Sequence, residues 1–283
     1  MLAQVIPGSL RRRFGTWSLL GLLTVVSIVW IAPIVWVIAM SLKPNNVLQV
    51  STRGLIPDPF TLENYKDILN VSDVPRWFAN SMVVSASTTI LTLVLASLAG
   101  YAFARIPFKG KKLMYIFVLS GMMVPEQAVF IPLHTMFSAW EMHNTYQALV
   151  LPRLAFPLGV FLMAQFFQAI PQDIEEASKL DGANRLIVYA RIMMPLSVPA
   201  LTTLGLFTFV LTWNDYLWPL VSATRTDMYT LTVGLGSLQG TFAQTEGLGF
   251  LMASAVTASA PILIVFIVFQ RYIIQGVRMG GRF

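Results

Sequence analysis

The chain lacks cysteine, and this absence excludes disulfide bonds and thiolate metal sites. Charge is scarce as well: charged residues make up 11% of the 283 residues, whereas soluble domains carry about 25%. So few charged side chains do not cover a globule of this size with polar surface. Hydrophobic residues make up 56% of the chain, and a bilayer is the solvent that suits such a composition. The composition therefore predicts an integral membrane protein whose surface contacts lipid.

Several short motifs of enzymes are also missing. The sequence has no G-x-x-x-x-G-K-[ST] loop for ATP phosphates, no H-E-x-x-H and no G-x-S-x-G. Lys109, Lys111 and Lys112 follow one another closely without forming a phosphate loop. His134 and His143 lie at the end of an apolar stretch, where interfacial histidines are commoner than metal ligands. We therefore expect no catalytic activity, and no metal or cofactor bound by this chain.

The net charge of +6 would favour a nucleic-acid partner in a soluble protein. Here the bases lie in short loops between apolar stretches, where they set the orientation in the membrane. With a cytoplasmic N-terminus, 13 of the 19 basic residues fall in the inner segments 1–16, 105–112, 171–196 and 271–283. The outer segment 43–76 balances four bases with four acids. The charges predict two cytoplasmic termini and no nucleic acid.

Six apolar stretches are long enough to cross about 30 Å of hydrocarbon at about 1.5 Å per residue. They are residues 17–40, 77–104, 113–137, 146–169, 197–221 and 250–270. The first follows three arginines, as the core of a signal peptide would. Its uncharged run of 29 residues exceeds a signal core of about 7–15 residues, which predicts a retained helix. We expect one all-α transmembrane domain over residues 1–283.

Small residues and prolines in these stretches indicate close packing and broken helices. Ala96 and Gly100 form a small-x-x-x-small pair, which lets helix backbones approach closely in lipid. Prolines, each of which removes a helix hydrogen bond, fall in or near the spans at Pro33, Pro125, Pro132, Pro152, Pro157 and Pro261. Broken backbone at membrane depth is tolerated where it is buried in protein or lines a wet cavity. The prolines therefore favour a transporter or channel over a passive anchor.

Two charges interrupt the third and fourth spans, where each costs about 2.5 kcal/mol or more. Counted along straight helices, Glu126 lies about 20 Å above the inner surface and Arg153 about 12 Å below the outer one. The two depths nearly coincide, which predicts that the side chains pair or face one polar cavity. Alternatively, the spans are shorter and both residues lie at the outer interface.

A polar and aromatic cluster, Trp213, Asn214, Asp215 and Tyr216, lies in the outer part of the fifth span. Flat aromatic faces beside amide and carboxylate groups suit a sugar. The same composition is typical of the aromatic belt at a membrane interface, which the chemistry alone favours. Together with the two membrane-depth charges, these four residues are candidates for a substrate path.

The segment 171–196 is charged and helix-forming, yet it lies between two long apolar stretches. It must therefore lie in water or against another protein. Pro171 can start a helix, and Asp173, Glu175 and Glu176 suit the positive end of the helix dipole. The alternative is an ordinary solvated loop.

This first helix has one apolar face and a specific end. Ile174, Ala177 and Leu180 recur at a spacing of three, so they lie on roughly one face. Gly182 can end the helix in a left-handed cap, and a second helix is expected from about 184 to 194. Such an elbow of two helices can insert into a cleft of a soluble subunit.

The elbow also carries a recognisable motif. Glu176-Ala177-Ser178, Gly182, Ile192, Met194 and Pro195 match the E-A-A, three residues, G, nine residues, I-x-L-P signature. The chain thereby resembles permease subunits of ABC importers, and it looks like the carbohydrate branch, of the maltose-permease second-subunit type. Further matches along the chain are Asn80-Ser81, Tyr101-Ala102-Phe103-Ala104-Arg105, Trp213-Asn214-Asp215 and Gln270-Arg271-Tyr272. Ser178 and Met194 are mild departures, whereas the tail 279–283 differs from the usual Gly-Ala-Val-Lys-Gly type and leaves a tail contact with an ATPase unsupported.

The resemblance implies a type I importer permease with six transmembrane helices in a bacterial or archaeal plasma (inner) membrane. It implies a cytoplasmic coupling helix between spans four and five, docked in a groove of an ATPase dimer. The residues that it assigns to coupling are Glu175, Glu176, Ala177, Ser178, Leu180, Asp181, Gly182 and Pro195. It further implies a homologous permease as partner, ATP and Mg²⁺ used by the ATPase subunits, and an extracytoplasmic binding protein that delivers a sugar or sugar-like solute.

Two other functions compete with this one. A secondary transporter would use Glu126, Arg153 and Asp215 as ion-coupling groups, but it leaves the elbow without a purpose. A membrane enzyme would use the same charges in catalysis, but the sequence offers no recognisable nucleophile or metal motif. Copurification of an ATPase separates the importer from both.

Overall fold

The computed structural model describes residues 8–50, 52, 54–70, 73–245 and 247–280. Within these ranges every regular element is a helix, so the predicted all-α class is confirmed. The chain forms two compact units. One consists of Met1–Val71 with Leu238–Thr257, and the other consists of Ser72–Ser237 with Ala258–Phe283.

The first unit begins with a long apolar helix and continues through two short ones. These are α1 (Gly8–Ser41), α2 (Asn45–Val50) and α3 (Glu63–Asn70). Asn64, which is buried, donates from Nδ2 to the carbonyl oxygens of Ser41 and Lys43, both at 2.9 Å. Asn45 Oδ1 accepts from the backbone N–H of Gly249 at 2.8 Å. The buried amide of Asn64 therefore fixes the irregular backbone that follows α1, because that backbone cannot satisfy its own polar groups.

The second unit contains the remaining helices. They are α4 (Val74–Arg105), α5 (Lys111–Ser120), α6 (Glu126–Ala139), α7 (Tyr146–Leu154), α8 (Pro157–Ala169), α9 (Gln172–Leu180), α10 (Arg185–Val188), α11 (Met194–Leu196), α12 (Val198–Trp213) and α13 (Leu217–Ser222). Short 3₁₀ turns occur at Gly121–Met123 and Thr226–Met228, and a π-helix at Tyr189–Met193 joins α10 to α11. Both α14 (Leu231–Thr245) and α15 (Leu248–Gly280) contribute to each unit.

Helix α4 is the centre of the second unit, where it packs against α7, α8 and α12. A Cβ added at Gly100 would lie 2.6 Å from the Cβ of Met163 and 2.9 Å from the backbone nitrogen of Ala164. Ala96 is buried beside Gly159, whose added Cβ would meet it at 3.2 Å. The small-x-x-x-small pair therefore brings α4 against α8, as its spacing predicts.

The N-terminal end of α4 holds the loop after α13. Trp77 donates its indole N–H to the carbonyl of Thr226 at 2.7 Å. Asn80 donates to the carbonyls of Asp227 and Tyr229 at 3.0 and 2.9 Å. These buried polar side chains replace hydrogen bonds that the loop backbone cannot make to itself.

Three helical stretches are long and apolar enough to cross a membrane unbroken: Thr16–Ser41, Val74–Arg105 and Leu248–Gln270. They coincide with the first, second and sixth predicted spans. Three further helix pairs qualify only when each bent pair is counted as one span, which gives up to six among the described residues. They are Lys111–Met123 with Glu126–Ala139 (96°), Tyr146–Leu154 with Pro157–Ala169 (48°), and Arg185–Leu196 with Val198–Trp213 (76°).

Breaks interrupt three of the predicted spans, which are therefore not single straight helices. The third span is not one straight helix, since the chain turns at Val124 and Pro125 before α6 begins at Glu126. The fourth is divided between α7 and α8, and Pro157 begins α8. The fifth is divided into α12 and α13 by residues 214–216, a break separate from the 76° bend that precedes α12. Proline cannot donate the interior helix hydrogen bond, which is why the first two breaks fall beside proline. A depth for Glu126 counted along a straight helix therefore does not apply, because the chain bends by 96° before this residue.

Candidate functional site

The elbow consists of α9 and a second helical stretch joined by a left-handed turn. Gly182 has φ +82°, and the backbone N–H of Ala183 donates to the carbonyl of Ser178 at 3.0 Å. This is the hydrogen bond of a Schellman cap, so the predicted left-handed end of the first helix is confirmed. Asn184 then caps the second stretch, because its Oδ1 accepts from the backbone N–H of Ile187 at 2.9 Å.

The second stretch runs two residues further than predicted. It passes through the π-helix to α11, includes Pro195 and ends at Leu196. Ser197, which is fully buried, donates its hydroxyl to the carbonyl of Met193 at 2.7 Å, and α12 departs at 76°. A π-helix widens the backbone ring and is common at functional sites. The elbow is thus connected to α12 through an irregular, bent joint.

Two faces of the elbow differ sharply in exposure. Leu180 is 89% exposed and Leu186 69%, and Ile174 and Ile187 are also exposed. Exposed aliphatic side chains that cluster on a charged segment are typical of a surface that binds another protein. The outer face of the elbow is therefore apolar and available to another protein.

Acidic residues of the elbow lie on both faces. Glu176 and Asp181 are exposed, whereas Glu175 is buried. The nearest charge to Glu175 on the opposing helix is Arg105, whose Nε lies 3.8 Å from its Oε2. Glu175 thus faces the rest of the second unit, and Glu176 is the one of the two that a partner protein can reach.

Arg105, the last residue of α4, connects the elbow to the body of the unit. Its Nε and Nη2 donate to the carbonyl of Phe167 at 3.1 and 2.6 Å, and Nη2 also contacts the carbonyl of Ile170. The last carbonyls of α8 have no partner within their helix and carry partial negative charge, so a guanidinium stabilises them. A cleft of about 280 Å³ opens beside this contact, between the end of α4 and residues such as Glu176 and Arg185.

A second charged site joins the three helix breaks. Arg153, near the end of α7, forms an ion pair with Glu126, the first residue of α6. Its Nε and Nη2 also donate to Oδ2 of Asp215, between α12 and α13, at 3.1 and 2.5 Å. The side chains of Asp215, Arg153 and Glu126 are 9%, 27% and 60% exposed. The structure thus brings together two residues expected to pair, and adds Asp215 to them.

Two members of the charged triad Glu126, Arg153 and Asp215 line a cavity of about 410 Å³, namely Glu126 and Arg153, and Asp215 reaches it only through its contact with Arg153. Apart from Glu126 and Arg153, the wall is apolar and partly aromatic, with Phe130, Phe156 and Trp218. With one positive and two negative groups, the triad carries a formal charge of −1. An apolar cavity with a few convergent polar groups is the usual form of a small-molecule site.

Three other candidates for the substrate path have different surroundings. Trp213 is 1% exposed and donates its indole N–H to the carbonyl of Ala258 at 2.9 Å. It packs on Phe78 and Phe209, so it presents its face neither to a solute nor to lipid in this conformation. Asn214 is exposed and donates to the carbonyl of Val210 at 2.9 Å.

Tyr216 is half-exposed and packs beside Gly236, whose added Cβ would lie 3.0 Å from the tyrosine ring. The rings of His134 and His143 are in contact, with centroids 4.6 Å apart and planes tilted by 35°. Nδ1 of His143 lies 3.2 Å from the hydroxyl of Ser222. This imidazole is therefore part of a local hydrogen-bonded contact.

Sequence reasoning missed the contact between α4 and the elbow. The loop charges predict for Arg105 only a role in orientation, and no motif in the sequence singles out Ser97 or Tyr189. The available signal was the spacing of four between Ser97, Tyr101 and Arg105, which places polar atoms on one face of an apolar helix. A polar stripe of this kind is costly in a membrane unless it has partners.

Known proteins similar to this chain are membrane permeases. The arabinooligosaccharides transport system permease protein of Halalkalibacterium halodurans is 32% identical, and the match covers 90% of this chain and 92% of that protein. The trehalose transport system permease protein of Mycobacterium tuberculosis is 31% identical over 95% of this chain and 98% of its own. The trehalose/maltose transport system permease protein of Thermococcus litoralis is 32% identical, with 90% and 92% covered.

Among solved structures, the chain is similar to one in a bacterial ABC transporter involved in the import of the acidic polysaccharide alginate. The TM-score is 0.78 at 21% identity, with 95% of this chain and 99% of the other covered, and this likeness shows the type I importer permease fold. Residues 92–279 match the family of binding-protein-dependent transport system inner membrane components. The chain belongs to this family, and it is a non-catalytic, multi-pass subunit of the inner membrane.

Proposed function

We propose that this chain and a homologous permease form the path of an ATP-driven carbohydrate importer. An ATPase dimer on the cytoplasmic side uses ATP and Mg²⁺, and an extracytoplasmic binding protein delivers the solute. Both termini lie in the cytoplasm. The observation that carries this proposal is the elbow of residues 172–196, whose outer face is apolar and exposed while its inner face is fixed to the rest of the unit.

The exposed leucines make the elbow a suitable docking element. Burying a leucine side chain gains about 1.5–3 kcal/mol, so Leu180 and Leu186 together provide a substantial share of a docking free energy. Glu176, Ala177 and Asp181 are exposed beside them and can add polar contacts at the rim. Gly182 and Pro195 shape the two helices. Ser178 acts within the elbow, since its hydroxyl donates to the Ile174 carbonyl at 2.6 Å, whereas Glu175 faces Arg105 at the end of α4.

The charged cavity is the proposed substrate path in this chain. Its aromatic wall and the carboxylate of Glu126 suit a sugar, and relatives are named for arabinooligosaccharides, trehalose and maltose. Arg153 is already paired with Glu126 and Asp215, so it offers little attraction to an anionic solute. This pairing favours a neutral sugar. Asn214 and Tyr216 flank Asp215 without lining this cavity, so they are candidates for another part of the path, and we leave Trp213 out because it is buried.

An ion-driven transporter is the weaker alternative. It would use the triad for ion coupling, but it gives no reason for an apolar face on a cytoplasmic elbow. The two functions make opposite predictions about the ATPase, since an ion-driven transporter works without one.

The proposal is tested by ATP hydrolysis in proteoliposomes that contain the chain, its partner permease, the ATPase and the binding protein. We expect Gly182→Asp and Glu176→Lys to abolish assembly or the stimulation of hydrolysis by the loaded binding protein. Lys109→Glu, which reverses an exposed charge outside the elbow, is the matched control and should keep both. Full assembly and stimulation in both elbow variants would show that the elbow is only a loop, and would bring the ion-driven transporter forward.

A further inference from the structure

One face of α4 contacts both helices of the elbow. Ser97, Tyr101 and Arg105 follow each other at a spacing of four, so they line up along the C-terminal half of α4. Ser97 is fully buried, Tyr101 is 4% exposed and the Arg105 side chain is 5% exposed. We call these three residues the α4 stripe.

The stripe reaches the second helix of the elbow through Tyr189. The hydroxyl oxygens of Tyr189 and Ser97 lie 2.7 Å apart. The ring centroids of Tyr189 and Tyr101 are 5.3 Å apart. Tyr189 is the first residue of the π-helix, so this contact lies where the elbow backbone is least regular.

The stripe reaches the first helix through Arg105. Its guanidinium lies beside Glu175 of α9 and, at the same time, binds the carbonyls of Phe167 and Ile170 at the end of α8. Tyr101 packs edge-on against the ring of Phe167 at 5.8 Å. One arginine therefore holds together the ends of α4 and α8 and the inner face of α9.

From this geometry we propose that the α4 stripe is the contact surface through which movement of the elbow is transmitted to α4 and α8. Arg105 is its central positioning residue. The inference rests on the proposed function, because it assigns the inner face of the elbow a role once the outer face is docked. The charge-assisted hydrogen bonds of Arg105 are the strongest polar links at this junction. Weakening them should leave the outer face able to dock but let the elbow move without α4 and α8.

The test measures solute imported per ATP hydrolysed in the same proteoliposomes, together with copurification of the ATPase. We expect Arg105→Gln and Glu175→Gln to keep the ATPase bound and hydrolysing while transport per ATP falls about 5- to 10-fold, the low end of typical allosteric coupling. Arg105→Lys should recover part of the loss, since it retains the charge. Lys109→Gln, in the loop that follows Arg105, should behave as wild type.

Tyr189→Phe removes only the hydroxyl contact with Ser97 and serves if Arg105→Gln does not assemble. A fall in transport per ATP in Tyr189→Phe then supports transmission through the α4 stripe, and an unchanged ratio of transport to ATP hydrolysis overturns it. If Arg105→Gln assembles, unchanged transport per ATP in this variant also overturns transmission through the α4 stripe. If the wild-type chain itself fails to bind the ATPase, the proposed function fails rather than this inference.

Discussion

Arg153 donates two hydrogen bonds to a single oxygen of Asp215, although 62 residues separate them in sequence. The same guanidinium pairs with Glu126, so one cation connects the breaks that follow α5, α7 and α12. Helix breaks at membrane depth leave polar backbone groups that need fixed partners. The triad is therefore placed where it can hold three interrupted helices in one arrangement.

Removal of Arg153 should destabilise the protein more than removal of either carboxylate. Arg153→Met leaves Asp215 buried without its cation, which costs about 3–5 kcal/mol for a fully buried pair, and we expect the lower end or less because Arg153 is partly exposed. Thermal unfolding of the purified complex in nanodiscs measures the loss. The double variant Arg153→Met/Asp215→Asn should recover part of it, since no unpaired charge remains.

Arg225→Met is the matched control for this series. Arg225 pairs with Asp227 at 2.7 Å, but its side chain is 67% exposed, and exposed pairs contribute about 0–1 kcal/mol. An unfolding temperature of Arg153→Met no lower than that of Arg225→Met would show that the triad does not stabilise the helix breaks.

Gly100 should tolerate no side chain. In Gly100→Ala the new methyl meets the backbone of α8 below 3.0 Å, and such overpacking costs about 1–3 kcal/mol. Gly21→Ala in α1 places its methyl where no described atom lies within 4 Å, so it should be neutral. Unfolding temperatures of the two variants check this difference, and equal values would mean that α4 and α8 can separate without cost.

Gly182 should be replaceable by asparagine but not by valine. Asparagine adopts the left-handed conformation more readily than a β-branched residue, and a Cβ at Gly182 meets no described atom within 4 Å. Gly182→Val should therefore lose ATPase binding. Gly182→Asn should largely keep it, because unlike Gly182→Asp it adds no negative charge at the C-terminal end of α9.

Gly110 allows a matched comparison with Gly182. Its φ is +78°, and among the described atoms its added Cβ also has open space, yet it lies outside the elbow. Gly110→Val should retain ATPase binding in pull-down assays. Equal losses in Gly110→Val and Gly182→Val would contradict a specific need for the elbow turn.

The orientation is open to direct test because the chain has no cysteine. Single cysteines at Ile56, which is 81% exposed, and at Lys109 lie in the predicted outer and inner segments. In right-side-out vesicles, a membrane-impermeant maleimide should label Ile56→Cys at once and Lys109→Cys only after permeabilisation. The reverse pattern would place both termini outside.

The sequence predicted the helices well because apolar stretches of this length have few other stable forms. It also located Gly182, since few residues adopt a positive φ. The angles of 96°, 48° and 76° at the bent pairs were not predictable. Proline marks where a helix hydrogen bond is lost, but packing of the neighbouring helices decides how far the chain then turns.

Two side chains show the same limit at the candidate site. Trp213 beside Asn214 and Asp215 fits a sugar site or an interface, and its burial becomes visible only through tertiary contacts such as those with Phe78 and Ala258. Arg105 belongs to a cluster of loop bases, and nothing local distinguishes it from its neighbours. Its partners are carbonyls more than 60 residues away, so its role required the tertiary structure.

The most direct test of the account is a cross-link from the exposed face of the elbow. Leu180→Cys, labelled with a benzophenone maleimide before the ATPase is added, should form a photoproduct with the ATPase, as should Leu186→Cys. Leu69→Cys is the control, because Leu69 is 67% exposed and lies on α3, which like α9 is an amphipathic helix. It should form no photoproduct with the ATPase. Absence of an ATPase photoproduct from both elbow positions, in a complex that still imports its solute, would contradict the assignment of the elbow as the ATPase docking element.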